Sequence, residues 1–327
     1  MDLTIFLASV LAAAPPVLFA VLGETITEKA GVINLSLDGT ILLTAMAGFA
    51  VALHTGSVVP GILAAMLVGA LVAGIVALAS LTLRLPQVAT GFVLTLLTRD
   101  LAYVLGNPYV RVPGPQVPHT PVPLLAEWPV VGKILFDQDP LVYLSLLAIV
   151  LVWVFMFKTR PGLMLQGLGE QPAAAYARGA EVVRMRYLYT LLGGALVGLG
   201  GAAFSLLVAP GWARQKFEGI GWIALAIVIF GNWHPLRAAL GAYLFVALQT
   251  LATTLQSAMP DVPTQVFPTL PFPLMILTLL LVTVSGADWM NRLLARLPPG
   301  LRRVLSRTIQ MLQTVPPAGL GKVPRRE

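Results

Sequence analysis

Few residues in this chain have chemistry to offer, and they gather where its first two apolar runs meet. The stretch Gly23-Glu-Thr-Ile-Thr-Glu-Lys-Ala-Gly-Val-Ile-Asn-Leu-Ser-Leu-Asp-Gly39 links the runs, and Asn34, Ser36 and Asp38 carry polarity into the second. Lipid cannot solvate an ionised carboxylate, so Asp38 must face protein, water or a partner. Asn34 and Asp38 are four apart and share one face if that segment is helical. Gly31 and Gly39 would permit a local break, and transporters tolerate broken backbone where it lines a cavity. Two readings stand: residues lining a solute path, or an ordinary turn with Asp38 at the membrane interface.

The remaining candidates are weaker. Arg99-Asp100 lies near the centre of an apolar run. Adjacent positions do not share a helix face, so the two are expected not to pair with each other. Either Arg99 or Asp100 forms a structural ion pair with a neighbouring helix, or the run ends earlier. His54, His119 and His234 lie in different segments without metal-ligand spacing and read as interfacial or loop residues. With no cysteine there is no disulfide, thiolate metal site or thiol nucleophile. Asn34-Leu-Ser36 matches a glycosylation sequon by chance, at the edge of the second run. Gly319-Leu-Gly-Lys322 is followed by Val323 and Pro324, which lack the hydroxyl of a P-loop, so any ATPase is another chain. No paired acid, metal cluster or Ser/His arrangement at helical spacing supports an intramembrane enzyme.

The elements that must position these residues are membrane spans. Of 327 residues, 57% are hydrophobic and only 11% charged, and the mean hydropathy is +0.85. Soluble domains carry roughly 25% charged residues. The fold class is therefore all-α, a polytopic helical bundle in lipid. The net charge of +7 does not signal nucleic acid, because Lys and Arg fall mostly between or after the apolar runs. Runs long enough to cross are Leu3–Leu22, Ile33–Leu53, Val58–Leu83, Val88–Gly106, Pro140–Phe157, Tyr187–Ala209 and Pro235–Leu255. Ile220–Gly231 and Leu270–Ser285 are shorter; the former either recruits Trp212–Gly219 or forms a re-entrant half-helix. Nine crossings put sixteen of the 21 basic residues inside and four outside, with Arg99 in a span. The N-terminus is then outside and the C-terminus inside. Met1-Asp2-Leu3 lacks a basic signal-peptide region, so the first run is read as a retained span. Residues 1–285 form the membrane domain and 286–327 a basic cytoplasmic tail.

Three further stretches carry expectations. Asn107–Asp139 holds seven prolines and should be irregular but stiff, as a cap over the outer mouth or a plain connector. Within the inner segment 158–186, Glu170-Gln-Pro-Ala-Ala-Ala-Tyr-Ala-Arg-Gly179 reads as a short helix, with Pro172 in its first turn and Gly179 just past its end. Its small, nearly uncharged surface suits docking on another protein. Gly194-x-x-x-Gly198 is a close-packing signal, not chemistry.

Three of these stretches together resemble one family. They are Glu24…Glu28 through Gly39, then Gly162-Leu…Gly169-Glu-Gln-Pro-Ala-Ala175…Gly179, and then Gly219-Ile-Gly-Trp-Ile-Ala-Leu-Ala-Ile-Val-Ile-Phe-Gly231. In order and spacing, from about Pro15 to Leu281, the chain is similar to the permeases of ABC importers for simple sugars and nucleosides. The likeness is strongest to the shorter permease of nucleoside importers that use a basic membrane lipoprotein. The resemblance implies a type II importer-like fold in the bacterial inner membrane and a heterodimer with a longer homologous permease. It also implies a separate ATP-binding subunit and an extracytoplasmic solute-binding lipoprotein. This chain then binds no cofactor itself, and ATP and Mg belong to the ATPase. The family's coupling helix, usually Gly-Glu-Asn-Pro-x-Ala-Ala, corresponds to Gly169–Ala175, with Gln171 for Asn; Glu170, Gln171, Pro172, Ala174, Ala175 and Gly179 are its candidate residues. The usual Asn-x-Gly-x-Glu-Gly corresponds to Asn34–Gly39, where Ser36 and Asp38 replace Gly and Glu. Asn34, Ser36, Asp38 and Thr95 are the candidates for the solute path. An ion-coupled secondary transporter and a purely structural membrane subunit are the rival readings.

Overall fold

The computed structural model describes residues 2–213, 218–259 and 315–322, with scattered positions between 263 and 280. Among the described residues the chain is mostly helical and forms no strand. Asp2 caps α1 (Leu3–Ala13) by accepting the Thr4 amide at 2.9 Å. Pro15 and Pro16 then open α2 (Pro15–Lys29), and the two helices meet at a 48° bend. Proline has no N–H for the preceding turn and its ring crowds the carbonyl behind it, so the first span is bent here.

Helix α2 does not stop where the apolar run stops. Gly23 to Lys29, expected as a link between spans, continues the helix and is buried almost to its end. Polar side chains are tolerated in it because they meet partners inside the bundle. The remaining elements are α3 (Leu37–Thr55), α4 (Val58–Ala77), α5 (Gln87–Gly106), α6 (Pro140–Lys158), α7 (Arg160–Glu170), α8 (Pro172–Ala177), α9 (Val182–Ala203), α10 (Ile220–Phe230) and α11 (Pro235–Ala258). Wider π turns extend α4 through Thr82 and α9 through Val208. Among the described residues six helices are long and apolar enough to cross a membrane, seven if α1 and α2 count as one bent span. The expected ninth run, Leu270–Ser285, and most of the tail 286–327 lie outside the described residues.

Helix α9 is the axis of the bundle, and glycine is the reason. Gly193 lies against Gly23 of α2, while Gly194 and Gly198 lie against Gly69 and Ala65 of α4. A Cβ on any of these would strike backbone on the facing helix. Lipid offers no hydrophobic drive between helices, so backbone approach through small residues supplies the contact. The spacing Gly194-x-x-x-Gly198 therefore packs this subunit internally. Away from the axis, α4 turns Val59, Leu63, Leu67, Leu71 and Ile75 outward in one stripe. Such a stripe suits hydrocarbon.

The proline-rich stretch 107–139 is irregular apart from turns at Asn107–Tyr109 and Gly132–Phe136. It lies over one end of the bundle: Gly114 sits on the Phe49 ring, and the Val117 amide donates to Leu206 O at 2.9 Å. His119 is held between Asp139, 2.8 Å from Nδ1, and Asp137, 2.9 Å from Nε2.

Candidate solute path and coupling surface

Two interruptions of helical backbone meet inside the bundle. After α2 the chain turns at Gly31, whose φ of +93° is left-handed and suits glycine. Residues 32–36 then run non-helically along α5. The Ile33 amide donates to Gln87 Oε1 at 2.8 Å, Leu35 lies on Gly91, and Thr95 Oγ1 donates to Leu35 O at 2.6 Å. From Gln87 to Thr95 is about 12 Å along a helix. The break is thus carried well into the span by hydrogen bonds from α5.

Asn34 belongs to this non-helical segment, so it does not share a helix face with Asp38. Its Oδ1 accepts from Ser36 N at 3.2 Å and Ser36 Oγ at 2.6 Å, and its own amide donates to Glu24 Oε1 at 3.3 Å. Asp38, in the first turn of α3, accepts the Gly221 amide at 3.0 Å and is bonded by the Gly219 amide as well. It therefore caps α10 from another helix, satisfying N–H groups that a helix start leaves open. Gly221 lies directly on the Asp38 backbone, leaving no room for a side chain. Gly39, one residue on, stays helical and is the point where α3 touches Thr95 and Thr98.

Helix α10 accounts for the short seventh run, Ile220–Gly231. Its 11 residues span about 16 Å, half a bilayer. Trp212 lies at the Gly106 end of α5, and its carbonyl accepts from Arg111 N at 3.4 Å. Trp233, just past α10, donates from Nε1 to Glu28 Oε2 near the other end of the bundle. Trp212 and Trp233 thus lie towards opposite ends of the bundle, and α10 is the half-helix that begins at Asp38 between them.

Asn34, Ser36, Asp38 and Thr95 are thus brought together, and all are buried within the subunit. The residue reading of the sequence left out four neighbours: Glu24, Glu28, Gln87 and Trp233. Glu24 is fully buried, and its second carboxylate oxygen has no hydrogen bond among the described residues. The signal was available, since Glu24 and Glu28 are four apart and share a face if the first apolar run continues as a helix through them.

The second region lies beyond α6. Thr159 Oγ1 caps α7 by accepting the Gly162 amide at 3.2 Å. The backbone bends at Gln171, and α8 follows with Pro172 at its start. It ends at Ala177, and Gly179 adopts φ +85° two residues later. Ala175 faces inward, whereas Ala173, Ala174, Tyr176 and Ala177 are exposed. Lys29 Nζ reaches Glu170 at 2.9 Å. Burial pushes the Glu170 carboxyl up, but the Lys29 ammonium and the Ala318 amide outweigh it and hold it below the ordinary carboxylate range.

A family profile described as the permease component of branched-chain amino acid transport systems matches residues 6–283. The chain belongs to this permease family. Among relatives, this permease is 36% identical over 249 residues to a putative glucose ABC transporter permease protein of Haloferax volcanii, covering 75% of this chain and 76% of the relative. It is 33% identical over 294 residues to the guanosine ABC transporter permease protein NupQ of Bacillus subtilis, covering 85% and 91%. It is 34% identical over 261 residues to the nucleoside ABC transporter permease protein NupC of Lactococcus lactis, covering 76% and 82%. It is accordingly a multi-pass inner-membrane ABC permease.

One feature of the permease contradicts expectation. Arg99 and Asp100 pair with each other, Nε to Oδ1 at 3.3 Å. Adjacent positions diverge around a helix, but the long arginine reaches sideways along its surface. Both side chains are exposed, 38% and 66%, on the middle of α5 beside Val93, Leu96 and Leu97. In hydrocarbon each charge would cost about 2.5–3.5 kcal/mol.

Proposed function

We propose that this permease is one half of the membrane pathway of an ATP-driven importer for a nucleoside, with the path at its interface with a homologous permease. The observation that carries the reading is α8: a short helix with an exposed alanine face, set between α7 and α9, suits a groove on a separate ATP-binding subunit. That subunit holds ATP and Mg and has two nucleotide sites. A solute-binding lipoprotein delivers the solute from the other side. Nine crossings, an outside N-terminus and a cytoplasmic tail complete the arrangement. The passage from Trp212 to Trp233 supports counting α10 with the residues before it as one crossing.

The face of α5 that carries Arg99 and Asp100 supports an interface with a partner, since lipid is a costly neighbour for both. In this state Asn34 and Ser36 are bonded to each other, Thr95 to the Leu35 carbonyl and Asp38 to α10. They reach solute when the two backbone breaks rearrange during alternating access. Sparse hydrogen-bonding groups suit a neutral nucleoside, which must be released as readily as it is held.

Ala174→Arg is the test. It should abolish uptake and co-purification with the ATPase while leaving membrane insertion intact; unchanged uptake would reject the docking role. A simple-sugar importer is the second reading, favoured by the glucose-permease relative. Binding assays on the cognate lipoprotein against nucleosides and glucose separate the two. An ion-coupled transporter is rejected if uptake survives proton and sodium uncouplers but stops on ATP depletion.

A further inference from the structure

Helix α7 ends in a way that no local sequence explains. The final carbonyls of a helix have no partner within it. Among the last carbonyls of α7, Gly167 O is satisfied locally, by the Gln171 amide at 2.9 Å. Leu168 O accepts from Arg186 NH2 at 3.1 Å, and Gly169 O accepts from the Gly319 amide at 2.6 Å. The end of α7 is therefore closed by α9 and by a segment from the far end of the chain.

That segment, 315–322, is held at both of its ends and along its middle. The Val315 amide donates to Asn232 Oδ1 at 3.0 Å, just after α10. The Ala318 amide donates to Glu170 Oε2 at 3.3 Å, and the Gly321 amide to Gly31 O at 3.2 Å. Arg186 is the hub. It is fully buried, and besides Leu168 O it donates to Lys322 O at 2.7 Å and Gly319 O at 3.3 Å. Its guanidinium fills the space where a side chain on residue 31 would sit. Among the described residues no carboxylate pairs with it. A planar fork of five donors can gather carbonyls from two directions at once, which an ammonium on a flexible stem does less well.

We propose that Arg186 and the segment 315–322 form a clasp that fixes α8 relative to the backbone break at Gly31, so that motion imposed on α8 is delivered to residues 32–38. Arg186 is a positioning residue in this scheme: it acts through the end of α7 and through Gly31, and touches no solute. Without the clasp, the corner at Gln171 keeps on the α2 side the packing of Gly169 against the Lys29 backbone and the half-exposed Lys29–Glu170 pair, and such pairs hold weakly. The α8 helix would then still dock but would swing without moving α2. The inference rests on reading α8 as the ATPase-docking helix.

The test uses the whole importer in proteoliposomes, with three changes that open the clasp: Arg186→Gln, Gly319→Val and deletion of residues 315–327. Each should keep co-purification with the ATPase and basal hydrolysis within about twofold. Hydrolysis stimulated by the loaded binding protein, and solute uptake, should fall at least fivefold. Arg186→Lys should recover part of both, because it restores donors without the fork. Should Arg186→Gln fail to accumulate, Gly319→Val and the deletion decide, since Gly319 and the segment 315–322 lie outside any helix. Unchanged stimulation and uptake in those two overturns the clasp. Ala174→Arg, run in parallel, separates the two ideas. If it leaves assembly intact, the docking reading fails; if it breaks assembly while the clasp variants behave as wild type, only the clasp fails.

Discussion

Asp38 and Arg186 show two ways of keeping a charged group inside this protein. Asp38 takes the amides that open α10, so a helix start supplies the positive end it needs. Arg186 takes carbonyls, one from the end of α7 and two from a distant strap. Both depend on glycines that let backbone come close. Gly221→Ala would drive a methyl into the Asp38 backbone, and overpacking of this kind costs about 1–3 kcal/mol. The expected result is a lower unfolding temperature in detergent than wild type; equal temperatures would refute the contact. His119 makes a pH prediction. Hydrogen bonds that its ring donates to Asp137 and then to Asp139 raise its pKa above the ordinary 6.5. The raised group adds stability that is complete below about 6.5 and disappears as pH climbs through the higher folded value. A titration of the His119 ring by NMR should show that raised midpoint, and Asp137→Asn should bring it back down.

At the scale of elements, helices in this protein are joined by their smallest residues. Gly194 and Gly198 press α9 onto α4, and Gly193 presses it onto α2. Gly194→Leu should therefore abolish accumulation of folded protein, seen as loss of a monodisperse peak after solubilisation. Gly167 is the control. It is helical in α7 with no atom near the place a Cβ would occupy, so only its backbone entropy matters. Gly167→Ala should stabilise by about 0.5–1 kcal/mol, read as a small rise in unfolding temperature. The end of α8 was legible in Gly179, whereas hydropathy gave Leu3–Leu22 as one run and the bend at Pro15-Pro16 came from the structure. The continuation of α2 to Lys29 was not legible either. A polar stretch between apolar runs has the same composition whether it is a surface turn or a buried helix with partners.

At the scale of the molecule, the outward faces differ in charge. The stripe on α4 is wholly apolar, whereas the middle of α5 carries Arg99 and Asp100. The absence of cysteine from the sequence makes a clean probe possible. Asp100→Cys in the assembled importer should react with a charged thiol reagent or cross-link to the second permease. Leu67→Cys on α4 should do neither; identical behaviour of the two would remove the case for α5 as the partner face.

The sequence alone determined the solvent this protein lives in and the family it belongs to. Scarce charge, long apolar runs and three motifs in a fixed order are properties of the chain as a string, and they survive any folding. It also marked Asn34, Ser36, Asp38 and Glu170–Gly179 as places of interest. Tertiary structure alone decided what those residues touch. That Asp38 caps a helix 183 positions away, and that Arg186 closes α7 with residues 319 and 322, are facts about approach in space. A hydrogen bond is indifferent to the length of chain between its partners. No local pattern records which distant amide or carbonyl will arrive.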